Sequence, residues 1–479
     1  MAAPHTNRLS RVLPLVGALV LLSVSCSGKT VDEWRSRSIY QLLTDRFATL
    51  GKSPEECDLT EYCGGNFLGL VKKLRYIKRM GFDAIWISPV VENTPNGYHG
   101  YWTKDLFSIN PEFGTARQLK SFVRIAHRLG IWVMVDVVAN HMGYVEENDF
   151  SSLNPFDKPE EYHDCEGCDE FCNINDFNNF DMVEHCRLSG LPDLDQNNPY
   201  VRSQLLEWIE ELVKKYKFDG VRIDTVPLVE KDFWAEFSKA AGVFTIGEVF
   251  DGRIERLATY FGDAMDSLVD YPMYYTLRDV FQRKGDMTLI PYRRGQQKPF
   301  FPDVRVLGTF VDNHDNPRFL HDQKDEALYR NALAFVLLGE GIPIVYYGTE
   351  QGFAGGEDPE NREPLWVSKY SRQSKLFKFI AALNKHRKKS KVWESEHVEL
   401  YVDNACYVFS RGSTIVGLTN VGAEVETSEC TFEMPDMYSE TTFDVVYPDV
   451  EGEVVNTDTK SVTITFYGGE PVVLAENAA

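Results

Sequence analysis

An alternation along the chain leaves it few folds to choose from. Eight apolar, strand-like runs ("SIYQLL", "FDAIWISPV", "IWVMVDVVAN", "FDGVRID", "VFTIGEVF", "SLVDYPM", "VRVLGTFVDN" and "IPIVYYG") recur between residues 38 and 348, with helix-period segments between and after them. The best of these segments spaces Leu205, Trp208, Ile209, Leu212, Val213 and Tyr216 along one stripe. Eight such alternations argue for a parallel (β/α)8 TIM barrel, with chemistry at the C-terminal ends of the strands. The rhythm breaks once, between Asn140 and about Leu194, where the chain is rich in Asp, Asn, Glu, Gly and Cys and has no helical period. So long a structureless loop is improbable inside a compact domain, so we expect an inserted subdomain over residues 141–193, stapled by cysteines. The barrel then comprises residues 28–140 and 194–390. Short β-rich runs without helical interludes follow, and residues 391–479 are expected to form a C-terminal antiparallel β-sandwich.

The 479 residues carry 50 Lys and Arg against 72 Asp and Glu, a net charge of −22 with no basic cluster. Such a chain is a poor partner for nucleic acid. At the N-terminus Arg8 and Arg11 precede an apolar run from Val12 to about Val24, so residues 1–27 read as a signal peptide of a secreted protein. The run is short of the ~20 apolar residues that span a bilayer, and no later segment qualifies. "SVSC" at residues 23–26 resembles a bacterial lipobox, which leaves lipid attachment at Cys26 as the alternative for a bacterial source. Without Cys26 eight cysteines remain, an even number that favours disulfides in an exported chain. His163, Cys165, Cys168 and Cys172 have the spacing of zinc ligands, but oxidising conditions and the nearby Cys186 favour bridges.

Given a barrel, Asp224, Glu248 and Asp315 fall at the ends of the fourth, fifth and seventh strands, aimed at a common mouth. Any one alone would suit a helix cap or a solvated loop; three in register with Arg222 and His314 are harder to explain structurally. Two carboxylates about 5 Å apart at an effective dielectric near 20 repel by about 3 kcal/mol, or roughly two pKa units. One of the cluster should therefore stay protonated. Arg222 lies two residues from Asp224 on the same strand face and favours its anion, making Asp224 the candidate nucleophile. Glu248, with no cation in its own strand, is the candidate proton donor. This pairing is the division of labour of glycoside hydrolysis.

Four spaced motifs, "DVVANH" (residues 136–141), "GVRIDTV" (220–226), "GEVF" (247–250) and "FVDNHD" (310–315), resemble the signature regions of the α-amylase family, glycoside hydrolase family 13. "IYQLLTDRF", "YCGG", "GFDAIWISPV", "YHGYW", "LPDLD" and "DPENRE" extend the resemblance, most strongly to secreted fungal α-amylases, over essentially the whole mature chain. The resemblance implies a retaining mechanism with Asp224 as nucleophile, Glu248 as general acid/base and Asp315 as transition-state stabiliser. It places Arg222, His141 and His314 around the sugar whose bond breaks, with Tyr101 stacked on its ring. Tyr98, His99, Trp102, Asp358 and Arg362 complete the glycone side. Trp86 and Trp208 we read as ordinary packing. Calcium is implied as well, held by the side chains of Asn140 and Asp193 and the carbonyls of Glu184 and Leu228, an all-oxygen set suited to a hard cation. The family pattern pairs Cys57 with Cys63 and Cys172 with Cys186; Cys165 and Cys168 would then join each other or stay free, and Cys406 is expected to pair with Cys430.

The chain departs from its nearest resemblance after the nucleophile, where Thr225, Val226, Pro227 and Leu228 stand in place of Thr-Val-Lys-His. An ammonium and an imidazole are thus missing from the leaving-group side, and the proline there resembles α-glucosidases and transglycosylating members of the family. An endo-acting α-amylase on starch, glycogen or maltooligosaccharides is the leading reading, and an exo-acting α-glucosidase or α-glucan transglycosidase the second. A non-catalytic carbohydrate-binding homologue is disfavoured because all three acids are present. A monomer is expected.

Overall fold

The computed structural model describes residues 1, 29–435, 438, 442–448, 454–456 and 461–477. The expected signal segment and Cys26 lie, Met1 apart, outside the described residues. Each of the eight strand-like runs supplies one strand of a single parallel sheet: β1 (Ile39–Leu42), β2 (Ala84–Ile87), β3 (Trp132–Val137), β4 (Gly220–Ile223), β5 (Phe244–Gly247), β6 (Ser267–Leu268), β7 (Gly308–Thr309) and β8 (Ile342–Tyr346). Their order is β6-β5-β4-β3-β2-β1-β8-β7, and a parallel bridge between Val269, just past β6, and Gly308 in β7 closes the ring.

Side-chain alternation sorts each strand into two faces. Ile39, Ala84, Trp86, Met134, Phe244, Ile246 and Ile344 fill the lumen. Tyr40, Leu42, Ile85, Ile87, Val133, Val135, Val221 and Ile223 face the surrounding helices. The lumen is filled: a Cβ on Gly308 would lie 2.7 Å from the Ile246 side chain and 2.8 Å from that of Ile344. The helix Pro199–Tyr216 buries all six residues of its predicted stripe. It starts where the Asn198 side chain accepts from the Tyr200 amide with Pro at the first turn, and stops where Lys217 turns left-handed at φ 62°. Among the described residues no helix is long and apolar enough to cross a membrane.

Between β3 and β4 the chain makes the expected excursion, with short 3-10 turns and one helix, Phe180–His185. Its cysteines pair as Cys165–Cys172 and Cys168–Cys186, which corrects both the expected Cys172–Cys186 bridge and the Cys165–Cys168 alternative. Asp169 Oδ1 accepts from the amides of Phe171 and Asn173 in a turn that folds Cys172 back to Cys165. Cys168 is left to pack with Val183, Cys186 and Leu228 in a small apolar cluster, where it meets Cys186. With all three thiols bridged, the zinc reading of His163, Cys165, Cys168 and Cys172 falls too. Cys57 joins Cys63, and Cys406 joins Cys430.

The C-terminal strands form a six-stranded and a two-stranded antiparallel sheet. Val408, Ile415, Phe443 and Leu474 of the first sheet pack against Phe432, Val462, Ile464 and Phe466 of the second. The alternate residues Tyr407, Phe409, Val416, Leu418 and Val473 join the main core shared with the barrel. One sheet therefore has two buried faces, which docks the sandwich on the barrel.

Candidate active site

Parallel register sets Asp136 of β3 directly beside Arg222 of β4, both at the C-terminal end of the barrel. Asp224 follows β4 by one residue and Glu248 follows β5 directly. The Arg222 guanidinium gathers all three carboxylates. One terminal nitrogen donates to Asp136 at 2.9 and 3.0 Å and to Asp224 Oδ1 at 2.7 Å; the other lies 2.8 Å from Glu248 Oε1. Past Asp224, Thr225 turns the chain at φ 47°, strained for a β-branched residue, and its amide donates to Glu248 Oε2 at 3.3 Å.

Asp136 opens the motif "DVVANH", in which the sequence alone points to no role for it. It proves to be the floor of the site, accepting also from Trp86 Nε1 at 3.0 Å and Tyr101 OH at 2.8 Å. Trp86 is accordingly more than packing: its ring lies 5.1 Å from the Arg222 guanidinium carbon. Trp208 does pack as expected, against Phe237. Gln41, on the inward face of β1, lies with its amide nitrogen 2.8 Å from His314 Nδ1. An amide NH2 only donates, so Nδ1 accepts and Nε2 carries the hydrogen. That Nε2 lies 2.7 Å from Tyr101 OH and 3.3 Å from Asp315 Oδ2.

Burial pushes the Glu248 carboxyl up to about 8; Arg222 opposes this, while the charges of Asp224 and Asp315 add to it. Burial also raises Asp224 to about 6, again opposed by Arg222 and reinforced by Asp136 and Asp315. Asp315 is raised by burial and held down by Arg362 and Arg222. Glu248 has no cation in its own strand, and Arg222 reaches it from the next one. The order of the two carboxyls stands nonetheless. A nucleophile that must be ionised and an acid that must be protonated give a bell-shaped profile. We expect kcat/KM to fall below pH about 6 and above about 8, the limbs belonging to the coupled cluster rather than to single residues. An initial-rate pH series at constant ionic strength checks this, and a profile flat from pH 4 to 9 would exclude the assignment.

Above the cluster opens a cleft of about 790 Å³, lined by His99, Tyr101, Trp102, His141, Asp224, Glu248, His314, Asp315, Asp358 and Arg362 among others. Tyr101 stacks on His314 with centroids 5.3 Å apart and planes 7° from parallel. Arg362 donates to Tyr98 OH at 3.2 Å and lies 3.0 Å from Asp358. Arg222 and Tyr98 do not line the cleft; each is buried behind residues that do. Pro227 and Leu228 also line the cleft, with Phe250, Arg253 and Arg256. Both guanidiniums are engaged, Arg253 with Asp251 at 2.9 Å and Arg256 over the Phe180 ring at 3.6 Å.

The residues expected to hold calcium can be tested through hydrogen-bond polarity. Burial lowers the His141 pKa to about 4, so the ring is neutral and donates from one nitrogen only. Nε2 lies 3.1 Å from the Tyr101 carbonyl oxygen, so it carries the hydrogen and Nδ1 must accept. The Asn140 amide nitrogen faces Nδ1 at 3.1 Å. Asn140 Oδ1 is then turned onto two further acceptors, the Leu228 carbonyl at 2.8 Å and Asp193 Oδ1 at 3.3 Å. Reversing the amide would satisfy those two and leave the His141 ring short of a hydrogen. Three converging oxygens with no hydrogen between them fit a hard cation. Glu184 lies in the helix Phe180–His185, which packs on the turn Val226–Leu228.

Comparison with known proteins gives a consistent result. The family model described as "Alpha amylase, catalytic domain" matches residues 41–436. "Alpha-amylase 1" of Lipomyces kononenkoae is 42% identical over 386 residues, which cover 77% of this chain and 61% of that protein. "Alpha-amylase 2" of Schwanniomyces occidentalis is 36% identical over 467 residues, covering 92% and 90%. The solved structure of an α-amylase from Malbranchea cinnamomea superposes with a TM-score of 0.88 at 37% identity, covering 94% of this chain and 98% of that one.

Proposed function

The chain belongs to the α-amylase family, and from that premise we propose that it is a retaining glycoside hydrolase cleaving internal α-1,4-glucosidic bonds of starch, glycogen or maltooligosaccharides. The observation that carries this reading is one buried guanidinium holding Asp224 and Glu248 together, with Glu248 the weaker acid. Asp224 attacks the anomeric carbon while Glu248 gives its proton to the departing glycosidic oxygen. The old C–O bond breaks, a glycosyl ester forms on Asp224, and Glu248 is left as a carboxylate. It then takes a proton from water, whose oxygen attacks the same carbon, releases Asp224 and restores the α configuration. Asp315 faces the positive charge that develops on the ring, Tyr101 offers its face to the sugar, and Asp358 with Arg362 can fork onto its hydroxyls.

Calcium would be held by Asn140 and Asp193 with the carbonyls of Glu184 and Leu228. When bound it supplies fixed positive charge that ties the excursion to the segment after β4. We take residues 28–140 and 194–390 as the catalytic unit, 141–193 as its calcium-binding insertion and 391–479 as an appended sandwich. Four disulfides support placement outside the cell, where a monomer would meet polymeric α-glucan.

The second reading, exo action or sugar transfer, rests on Pro227 and Leu228 in the cleft wall, which offer no side-chain donor to a sugar there. Maltoheptaose blocked at its non-reducing end separates the two. The endo reading predicts internal cleavage at a rate similar to that on the unblocked sugar, read as product lengths by chromatography. Complete resistance of the blocked substrate, with cleavage of maltose, would establish the exo reading instead.

A further inference from the structure

Outside the cleft, two imidazoles and a carboxylate converge. His163 lies in the excursion, His185 ends the helix Phe180–His185, and Glu230 follows the turn after β4. His163 Nδ1 lies 2.7 Å from Asp193 Oδ2, and His185 Nδ1 lies 2.7 Å from the Asp181 carbonyl oxygen. Each oxygen accepts, so each ring donates from Nδ1, which leaves Nε2, the lone-pair nitrogen of a neutral imidazole, on the side of the cluster. Both Nε2 atoms lie near the same group: Glu230 Oε1, which accepts from Asn197 Nδ2 at 2.5 Å, is 3.9 Å from His163 Nε2 and 3.7 Å from His185 Nε2. Asp195 Oδ1 adds a further acceptor 3.5 Å from His163 Nε2. His163 Nε2 and Glu230 Oε2 are buried without any hydrogen-bond partner. One ligand atom from each of the three residues fits within 4.8 Å of the others.

Acceptors facing acceptors repel unless something positive lies between them. We propose that His163, His185 and Glu230 form a second cation site, selective for a zinc-class divalent ion and separate from the calcium site. Calcium takes oxygen ligands, whereas imidazole with carboxylate suits zinc. Ligand atoms on a tetrahedral zinc at about 2.0–2.1 Å lie roughly 3.3 Å apart, so closing the present distances takes small side-chain rotations. The Asp193 carboxylate that orients His163 is the second-sphere partner such sites use, and its other oxygen faces Asn140. Filling the site would pin the excursion to the segment after β4 at a second point.

The test uses the full mature chain, stripped with chelator and then held in saturating calcium. Zinc chloride is titrated in, with metal content and calorimetry as readouts, and cobalt(II) is substituted for its visible spectrum. The expected result is one zinc per chain that a hundredfold excess of calcium does not displace, a higher Tm, and cobalt d–d bands of a four- or five-coordinate nitrogen-ligated ion. His185→Gln, at the partly exposed end of the cluster, and Glu230→Gln should each weaken zinc binding at least about tenfold, while starch hydrolysis in calcium stays unchanged. Absence of zinc binding by the parent chain, which would mean that a proton resolves the cluster, overturns the proposal. So does displacement by calcium, or unaltered affinity in both variants. Because hydrolysis is followed separately, failure here is distinct from failure of the hydrolase reading.

Discussion

Asp224→Asn is expected to lower kcat on soluble starch by at least about 10⁴-fold, as removal of an enzyme's nucleophile does elsewhere, with little change in Tm. The amide is nearly isosteric and can still occupy the space beside Arg222, but it cannot form the glycosyl ester. The variant also removes a negative charge that raises Glu248. Any residual activity should therefore lose its alkaline limb at a lower pH than the parent, because Glu248 gives up its proton sooner. Reducing-sugar release together with thermal denaturation checks both halves. Activity within tenfold of the parent would remove Asp224 from the nucleophile's role.

The second large effect is expected at Arg222. Its side chain is 1% exposed and is the cation shared by Asp136, Asp224 and Glu248. Arg222→Met would leave three buried carboxyls with no positive partner, a loss of about 3–5 kcal/mol by analogy with broken buried ion pairs. With the offsetting charge gone, all three pKa values rise further, so Asp224 is protonated at pH values where the parent is active. Arg222→Lys tests geometry apart from charge. A single ammonium cannot reproduce a fork that serves Asp136 and Asp224 from one nitrogen and Glu248 from the other, so less than about 1% of parent kcat/KM should remain. Recovery of near-parent activity in the lysine variant would mean that Arg222 supplies only charge.

Much of this architecture is readable from periodicity. All eight strands lie within the predicted runs, because a barrel strand buried on both faces must be continuously apolar, and Asp224, Glu248 and Asp315 stand out for ending or following such runs. Asp136 lies instead inside its run, "IWVMVDVVAN", on the inward face of β3 and in register with Arg222 of β4. What hid it is that its role is to anchor an arginine; no role of its own in bond cleavage marks it. Trp86 and Gln41 are harder still, for an inward Trp or Gln on a barrel strand reads equally as filler until its hydrogen-bond partner, Asp136 or His314, is placed. The cysteine pairing within 165–186 was not legible for a different reason. It depends on a turn around Asp169 and on a six-residue helix packing over Leu228, neither of which has a periodic signal. The zinc-like spacing around His163 shows the same limit: the cysteines beside it are bridged, while His163 itself meets His185 and Glu230 from outside the motif.

Double displacement through Asp224 fixes the anomeric form of the first product. Maltooligosaccharide cleavage followed by proton NMR within the first minutes, before mutarotation, should show the new reducing end appearing as the α anomer and only later equilibrating. A β anomer formed first would mean single displacement by water and would contradict the account.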